Sequence, residues 1–167
     1  MTEPWEGLVI VGLGNPLLSN DGVGRHAAVA LGCAFPGART ETIPMIGMDL
    51  LDLIIGHDTL VIVDAVATGA DPVGKVTRFQ MPDQGVHTAS SHGPDLNLVL
   101  ALGRSLGLRI PRTIRIYGIE IGTEVPYGET LSPGLQARFK TAVESIATDM
   151  RASLGSQDSC AASRMRG

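Results

Sequence analysis

Residues 8–24 constrain the fold more than any other part of the chain. The stretch opens with a β-branched apolar run, residues 8–11, which predicts a buried strand. A cluster of Gly, Asn, Pro and Ser follows and predicts a loop, and a helical pattern begins at Val23. This order of strand, loop and helix places Asp21 at the entrance of a helix, above the end of a buried strand.

Asp21 has two explanations at that position. Backbone N–H groups and the helix dipole favour an ionised carboxylate at a helix N-terminus, by about 0.3–1 kcal/mol at exposed sites. The carboxylate is therefore expected to be charged. It serves either as an N-cap of the helix or as a functional group at the end of the strand, and the spacing alone leaves both roles open.

The second informative stretch is residues 59–66, a nearly continuous run of Leu, Val and Ile that contains Asp64. Such a run is typical of a strand buried on both faces, as in a parallel sheet covered by helices. A carboxylate at the end of such a run is unusual, because an unpaired charge is costly to bury. Asp64 is expected at the carboxyl end of this strand, and ligands bind at that edge of open α/β sheets. If the first and third strands are neighbours, as crossover rules favour, Asp21 and Asp64 converge on one cleft. The alternative is that Asp64 caps the next turn.

The remaining patterns predict an α/β protein with a mostly parallel sheet of about five strands. Pro44 cannot donate a ladder hydrogen bond, so the second strand is expected near a sheet edge. Further strands are predicted over residues 39–45, 75–80 and 112–121, and helices over residues 23–33, 48–55, 96–106 and 131–154. At 167 residues one domain is expected, over residues 1–154, with residues 155–167 as a disordered tail.

His92 is the third candidate site residue. It lies just before the Leu-rich helical pattern, where an imidazole is exposed and well positioned to bind a ligand or exchange a proton; it is otherwise an inert loop histidine. With Asp21 and Asp64 it would form a site of two oxygen ligands and one nitrogen ligand, compatible with nickel, zinc, manganese or iron. The same residues could also perform acid–base chemistry without a metal.

Composition excludes several classes of function. The formal net charge of −4 gives no general attraction to nucleic acid or anionic membranes. The two cysteines, Cys33 and Cys160, form neither a CxxC pair nor a disulfide framework, which favours a reducing cytoplasm. No apolar run approaches the ~20 residues of a membrane span, and the N-terminus lacks a basic signal-peptide region. We therefore expect a cytoplasmic protein.

Residues 12–24, with the sequence GLGNPLLSNDGVG, resemble the N-terminal signature of the NiFe-hydrogenase maturation endopeptidases. Further matches follow in the family's order, and the resemblance covers about residues 7–150. These matches are residues 60–66, residues 91–92 before the Leu-rich helix, residues 117–120 and residues 131–133. The resemblance implies a monomeric, three-layer α/β/α sandwich of the phosphorylase/hydrolase-like type. It places Asp21, Asp64 and His92 where the family has its nickel-contacting acid, second acid and histidine.

The resemblance also implies a function. Members of the family remove the C-terminal extension of a hydrogenase large-subunit precursor after nickel insertion, and the nickel belongs to the substrate. Asp21, Asp64 and His92 are then both the catalytic and the metal-contacting residues. Two positions depart from the family pattern: Asn20 replaces the first of two consecutive acids, and Thr42 replaces the Asp of an Asp-Gly-Gly-Thr-x-Gly segment. The second departure leaves open a non-catalytic, nickel-sensing docking module.

Peptidyl-tRNA hydrolase is a further alternative, because its fold is related and its opening also contains Val-Gly-Leu-Gly-Asn-Pro. The Arg-His-Asn triplet expected further on is present only as Arg25-His26-Ala27, without the Asn. The acidic balance of the chain also suits tRNA poorly. Binding of peptidyl-tRNA would separate this alternative from the other two.

Overall fold

The computed structural model describes residues 5–81 and 93–155. Within these ranges strands and helices follow one another as the apolar patterns predict, with two consecutive strands between the second and third helices. The strands are β1 (Leu8–Leu13), β2 (Arg39–Ile43), β3 (Thr59–Val66), β4 (Val76–Phe79) and β5 (Thr113–Glu120). The helices are α1 (Val23–Ala34), α2 (Asp49–Ile54), α3 (Gly93–Ser105) and α4 (Pro133–Leu154), and a 3-10 turn, Ser19–Gly22, precedes α1.

The described strands form a single sheet in the order β2-β1-β3-β5-β4. The first four in this order run parallel, and β4 pairs antiparallel with β5 at one edge. The predicted neighbourhood of β1 and β3 is confirmed, with Val9 opposite Leu60. β2 forms the other edge and ends at Ile43, directly before Pro44, because Pro44 has no N–H to continue the ladder.

Helices cover both faces of the sheet, which makes the fold a three-layer α/β/α sandwich. Alternate residues of β1 enter different cores: Ile10 packs on the side of α1 and α4, whereas Val9 packs on the side of α2 and α3. Each fully buried aliphatic side chain stabilises the fold by about 1.5–3 kcal/mol relative to an exposed one. Burial on both sides is the physical reason that β1 and β3 are nearly continuous apolar runs. The predicted fold class is confirmed.

Several predicted boundaries agree closely with the described elements. α4 ends at Leu154, and Ser132 precedes its first residue, Pro133. Most of the predicted tail, residues 156–167, lies outside the described residues, as does Cys160. No helix in the described part of the chain is long and apolar enough to cross a membrane.

Candidate active site

Two glycines seat the beginning of α1 directly on the ends of β1 and β3. A Cβ atom at Gly24 would collide with the carbonyl oxygen of Val63 and stand 2.5 Å from that of Leu13. A Cβ atom at Gly12 would stand 2.7 Å from the Cβ of Ala28 in α1. Only glycine permits such close approach of a helix to strand backbones. The helix entrance is therefore held against the carboxyl edge of the sheet.

The loop between β1 and α1 folds back so that Asp21 lies against Gly14. Gly14 has φ +137°, and a Cβ atom there would overlap the carbonyl oxygen of Asp21. The carboxylate Oδ2 of Asp21 accepts a hydrogen bond from the Asn15 N–H at 2.7 Å. The N-cap of α1 is Gly22, without a side-chain cap, so the explanation of Asp21 as an N-cap of α1 is wrong. Its side chain closes the loop instead.

Asp64 lies near the carboxyl end of the central strand β3, where it is opposite Gly118 of β5. It is only 6% exposed, and its Oδ1 accepts a hydrogen bond from the N–H of Ala65 at 2.8 Å. Residue 63, directly before it, provides the carbonyl on which Gly24 rests. The 3-10 turn containing Asp21 also contacts β3. The structure thus brings Asp21 and Asp64 to the same edge of the sheet.

His92, the third predicted site residue, lies outside the described residues. The predicted helix after it is present, since α3 begins at Gly93. Among the described residues, which leave out His92, no group of three His, Cys, Asp or Glu side chains is arranged to hold a metal ion. The metal site and the catalytic roles of Asp21, Asp64 and His92 stay predictions.

Glu120 is a further acidic residue at this edge, at the end of β5, and it clamps the segment that follows β3. It is 2% exposed and accepts hydrogen bonds from Thr68 Oγ1 at 2.6 Å, Gly69 N at 3.1 Å and Gly122 N at 3.0 Å. Burial opposes its ionisation, but these hydrogen bonds outweigh burial and hold the pKa of Glu120 below its ordinary value. The sequence places Glu120 at the end of a predicted strand, but no pattern in the sequence indicates the hydrogen bonds that it accepts.

Asn20, the first departure from the family pattern, has a structural role. It is 4% exposed, and its Oδ1 accepts a hydrogen bond from the Ser132 N–H at 2.8 Å. The adjacent Ser19 donates from Oγ to the Thr130 carbonyl at 2.7 Å. An amide oxygen serves here as an acceptor, just as a carboxylate oxygen would. These bonds tether the turn that carries Asp21 to the start of α4.

Thr42, the second departure, lines a groove beside the same turn. The groove has a volume of about 450 Å³. Its lining residues are Pro16, Leu17, Gly22, Arg25, His26, Val29, Thr42 and Glu129. Leu17 and Val29 are both more than half exposed, although both are apolar. Exposed apolar side chains gathered next to polar groups are typical of a surface that binds another polypeptide.

The fold and this edge define an α/β protein with a buried acid and a loop-held acid at the carboxyl ends of neighbouring strands. The sequence model of the hydrogenase maturation protease family, HycI, matches residues 45–149. The chain therefore belongs to the hydrogenase maturation protease family. A comparison with curated protein sequences found no match.

Solved structures of maturation proteases have the same fold. The endopeptidase HybD from Escherichia coli aligns with a TM-score of 0.65 and 23% identity, covering 87% of this chain and 93% of that one. HybD from Thermococcus kodakarensis aligns with a TM-score of 0.62 and 28% identity, covering 86% and 97%. HycI from the same archaeon gives 0.61 and 22%, covering 87% and 92%. These similarities agree with the sandwich described above.

Proposed function

We propose that this chain is an endopeptidase that removes the C-terminal extension of a NiFe-hydrogenase large-subunit precursor after nickel insertion. One observation supports the proposal beyond family membership: the turn that contains Asp21 contacts β3, the strand that carries Asp64. An acid near each of two neighbouring strand ends can supply oxygen ligands to a metal ion carried by a substrate. We further propose that the protein acts in the cytoplasm as a monomer.

In this proposal the nickel arrives with the precursor. Asp21 and Asp64 offer carboxylate oxygens and His92 offers an imidazole nitrogen, a donor set that is compatible with nickel, as it is with zinc, manganese or iron. Binding of the loaded precursor then brings the scissile peptide to the carboxyl edge of the sheet. There the substrate's metal polarises the peptide carbonyl, and the carboxylates orient a water molecule. The water oxygen bonds to the carbonyl carbon, the C–N bond breaks, and a carboxylate passes the proton from water to the leaving amine.

The groove containing Thr42 supports this proposal. It adjoins the Asp21 turn, and the exposed Leu17 and Val29 give it an apolar lining suited to a polypeptide. Thr42 also favours a second candidate, a docking module that binds nickel-loaded precursor without cleaving it. A threonine in place of the family's Asp removes a charge from the groove wall, which changes how a substrate is held there.

The decisive experiment mixes the purified protein with a hydrogenase large-subunit precursor, with and without nickel, and measures the precursor's mass. Loss of a C-terminal peptide only from the nickel-loaded form is the expected result. An unchanged mass, with confirmed loading and a matched precursor, would contradict the protease proposal and favour the docking module. Thr42→Asp is then the first variant to make.

A further inference from the structure

A groove lies at the other end of β5, away from the candidate active site. β4 ends at Phe79, opposite Ile116, so none of the described strands pairs with residues 113–115 on that side of β5. The resulting notch in the sheet edge has a volume of about 470 Å³. Asp64, in contrast, is opposite Gly118, closer to the carboxyl end of β5.

Four arginines line this groove, which we call the arginine groove: Arg78, Arg104, Arg112 and Arg115. They come from β4, α3, the segment before β5 and β5 itself. The chain as a whole has a net charge of −4 and only 13 Lys and Arg residues. Four cations lining one groove therefore create a local positive field that opposes the overall charge.

Most of this positive charge is not neutralised by the described residues. Arg78 pairs with Asp149, at 3.1 Å. Arg104 and Arg112 have no ion-pair partner in residues 5–81 and 96–155, whose side chains the structure describes. The Nε of Arg115 is buried and, among the same residues, has no hydrogen-bond partner. Buried N–H donors are nearly always paired in native structures, so this nitrogen is an unpaired donor beside the groove within the described residues.

The chemistry of the groove specifies its ligand. Guanidinium groups bind carboxylates through paired, charge-assisted hydrogen bonds, and they keep their charge at any physiological pH. Among the described strands none pairs with β5 next to these guanidinium groups, and an extended chain can align with such a strand edge. We propose that the arginine groove binds an extended segment of a partner protein that is rich in Asp and Glu. This site is separate from the proposed proteolytic one.

A direct binding measurement tests the proposal. Fluorescein-labelled hexaglutamate is titrated with the full-length protein at low salt and its anisotropy is followed, with hexaglutamine as the neutral probe. The double variant Arg104→Glu/Arg112→Glu is compared with Arg138→Glu/Lys140→Glu, which makes the same charge change on α4. All four positions are exposed, so both variants should fold, which their thermal melting will check.

The expected result is saturable binding of hexaglutamate that weakens about tenfold or more in the groove variant, because charge-assisted bonds are lost. The α4 variant should bind within about twofold of the natural chain. Equal weakening in both variants, or equal binding of hexaglutamine, would overturn the proposal. Binding of inorganic tripolyphosphate at these arginines without binding of hexaglutamate would also overturn it, and would assign the groove to phosphate. If the Glu variant melts early, Arg104→Gln/Arg112→Gln replaces it.

Discussion

At the scale of single residues, the acids at this edge of the sheet have different tasks. Glu120 accepts hydrogen bonds from Thr68, Gly69 and Gly122 and thereby fixes the chain that leaves β3. Asp21 accepts one from Asn15 and closes the loop after β1. Side-chain acceptors thus position both loops at the candidate active site, so that the site is held by hydrogen bonds rather than by apolar packing alone.

Glu120→Gln should lower the free energy of unfolding by about 1–3 kcal/mol at neutral pH, because an ionised acceptor of several hydrogen bonds becomes a neutral one. The folded pKa of Glu120 lies below its ordinary value of about 4.5. Its contribution is therefore present above that value and is lost as pH falls through the folded pKa. Urea unfolding between pH 7 and pH 3 measures both effects.

The exposed Glu144 provides the control, since its only described ion pair is a distant one to Lys140 at 3.8 Å. Glu144→Gln should change the unfolding free energy by less than about 0.5 kcal/mol. If the unfolding free energy of Glu120→Gln fell between pH 7 and pH 3 just as that of the natural chain does, Glu120 would not be ionised in the folded protein.

At the scale of elements, the glycines of residues 12–24 are packing residues. Gly12 and Gly24 let α1 lie against β1 and β3, and Gly14 supplies a backbone angle that other residues rarely adopt. The motif of residues 12–24, which carries the family resemblance, therefore positions the Asp21 turn against the sheet. Its spacing reflects the geometry of a strand, a return loop and a helix.

Gly24→Ala should destabilise the fold by about 1–3 kcal/mol or more, because its Cβ would meet backbone carbonyls that cannot move aside. It should also reduce precursor cleavage by shifting Asp21. Gly134→Ala is the matched control, since a Cβ at Gly134, in the first turn of α4, meets nothing within 4 Å. Denaturant unfolding of the two variants makes the comparison, and equal stabilities would contradict the seating described for α1.

Local patterns predicted most of the elements and few of their connections. β1 and β3 are buried on both faces, so their composition alone identified them, and Pro44 placed β2 at an edge. The roles of Asn20 and Glu120 depend on Ser132 and Thr68, which are far away in the sequence, and no periodic pattern links them. Of the two explanations left open for Asp21, the N-cap is wrong because a 3-10 turn moves the cap to Gly22.

At the scale of the whole molecule, the sheet separates two surfaces. Its carboxyl edge carries Asp21, Asp64 and the groove of Thr42, whereas the start of β5 carries the arginine groove. The two surfaces lie towards opposite ends of β5, so each can be mutated separately. Substitutions at the carboxyl edge should reduce precursor cleavage, whereas substitutions in the arginine groove should reduce binding of the acidic segment.

Cleavage rates of variants test whether Asp21, Asp64 and His92 act in cleavage of a nickel-loaded precursor. Asp21→Asn and His92→Ala should abolish processing, a loss of at least about 100-fold, while circular dichroism and melting stay near those of the natural chain. Asp52→Asn, at an exposed acid on α2, should cleave normally. Cleavage at the natural rate by either Asp21→Asn or His92→Ala would show that the substituted residue is not needed for cleavage.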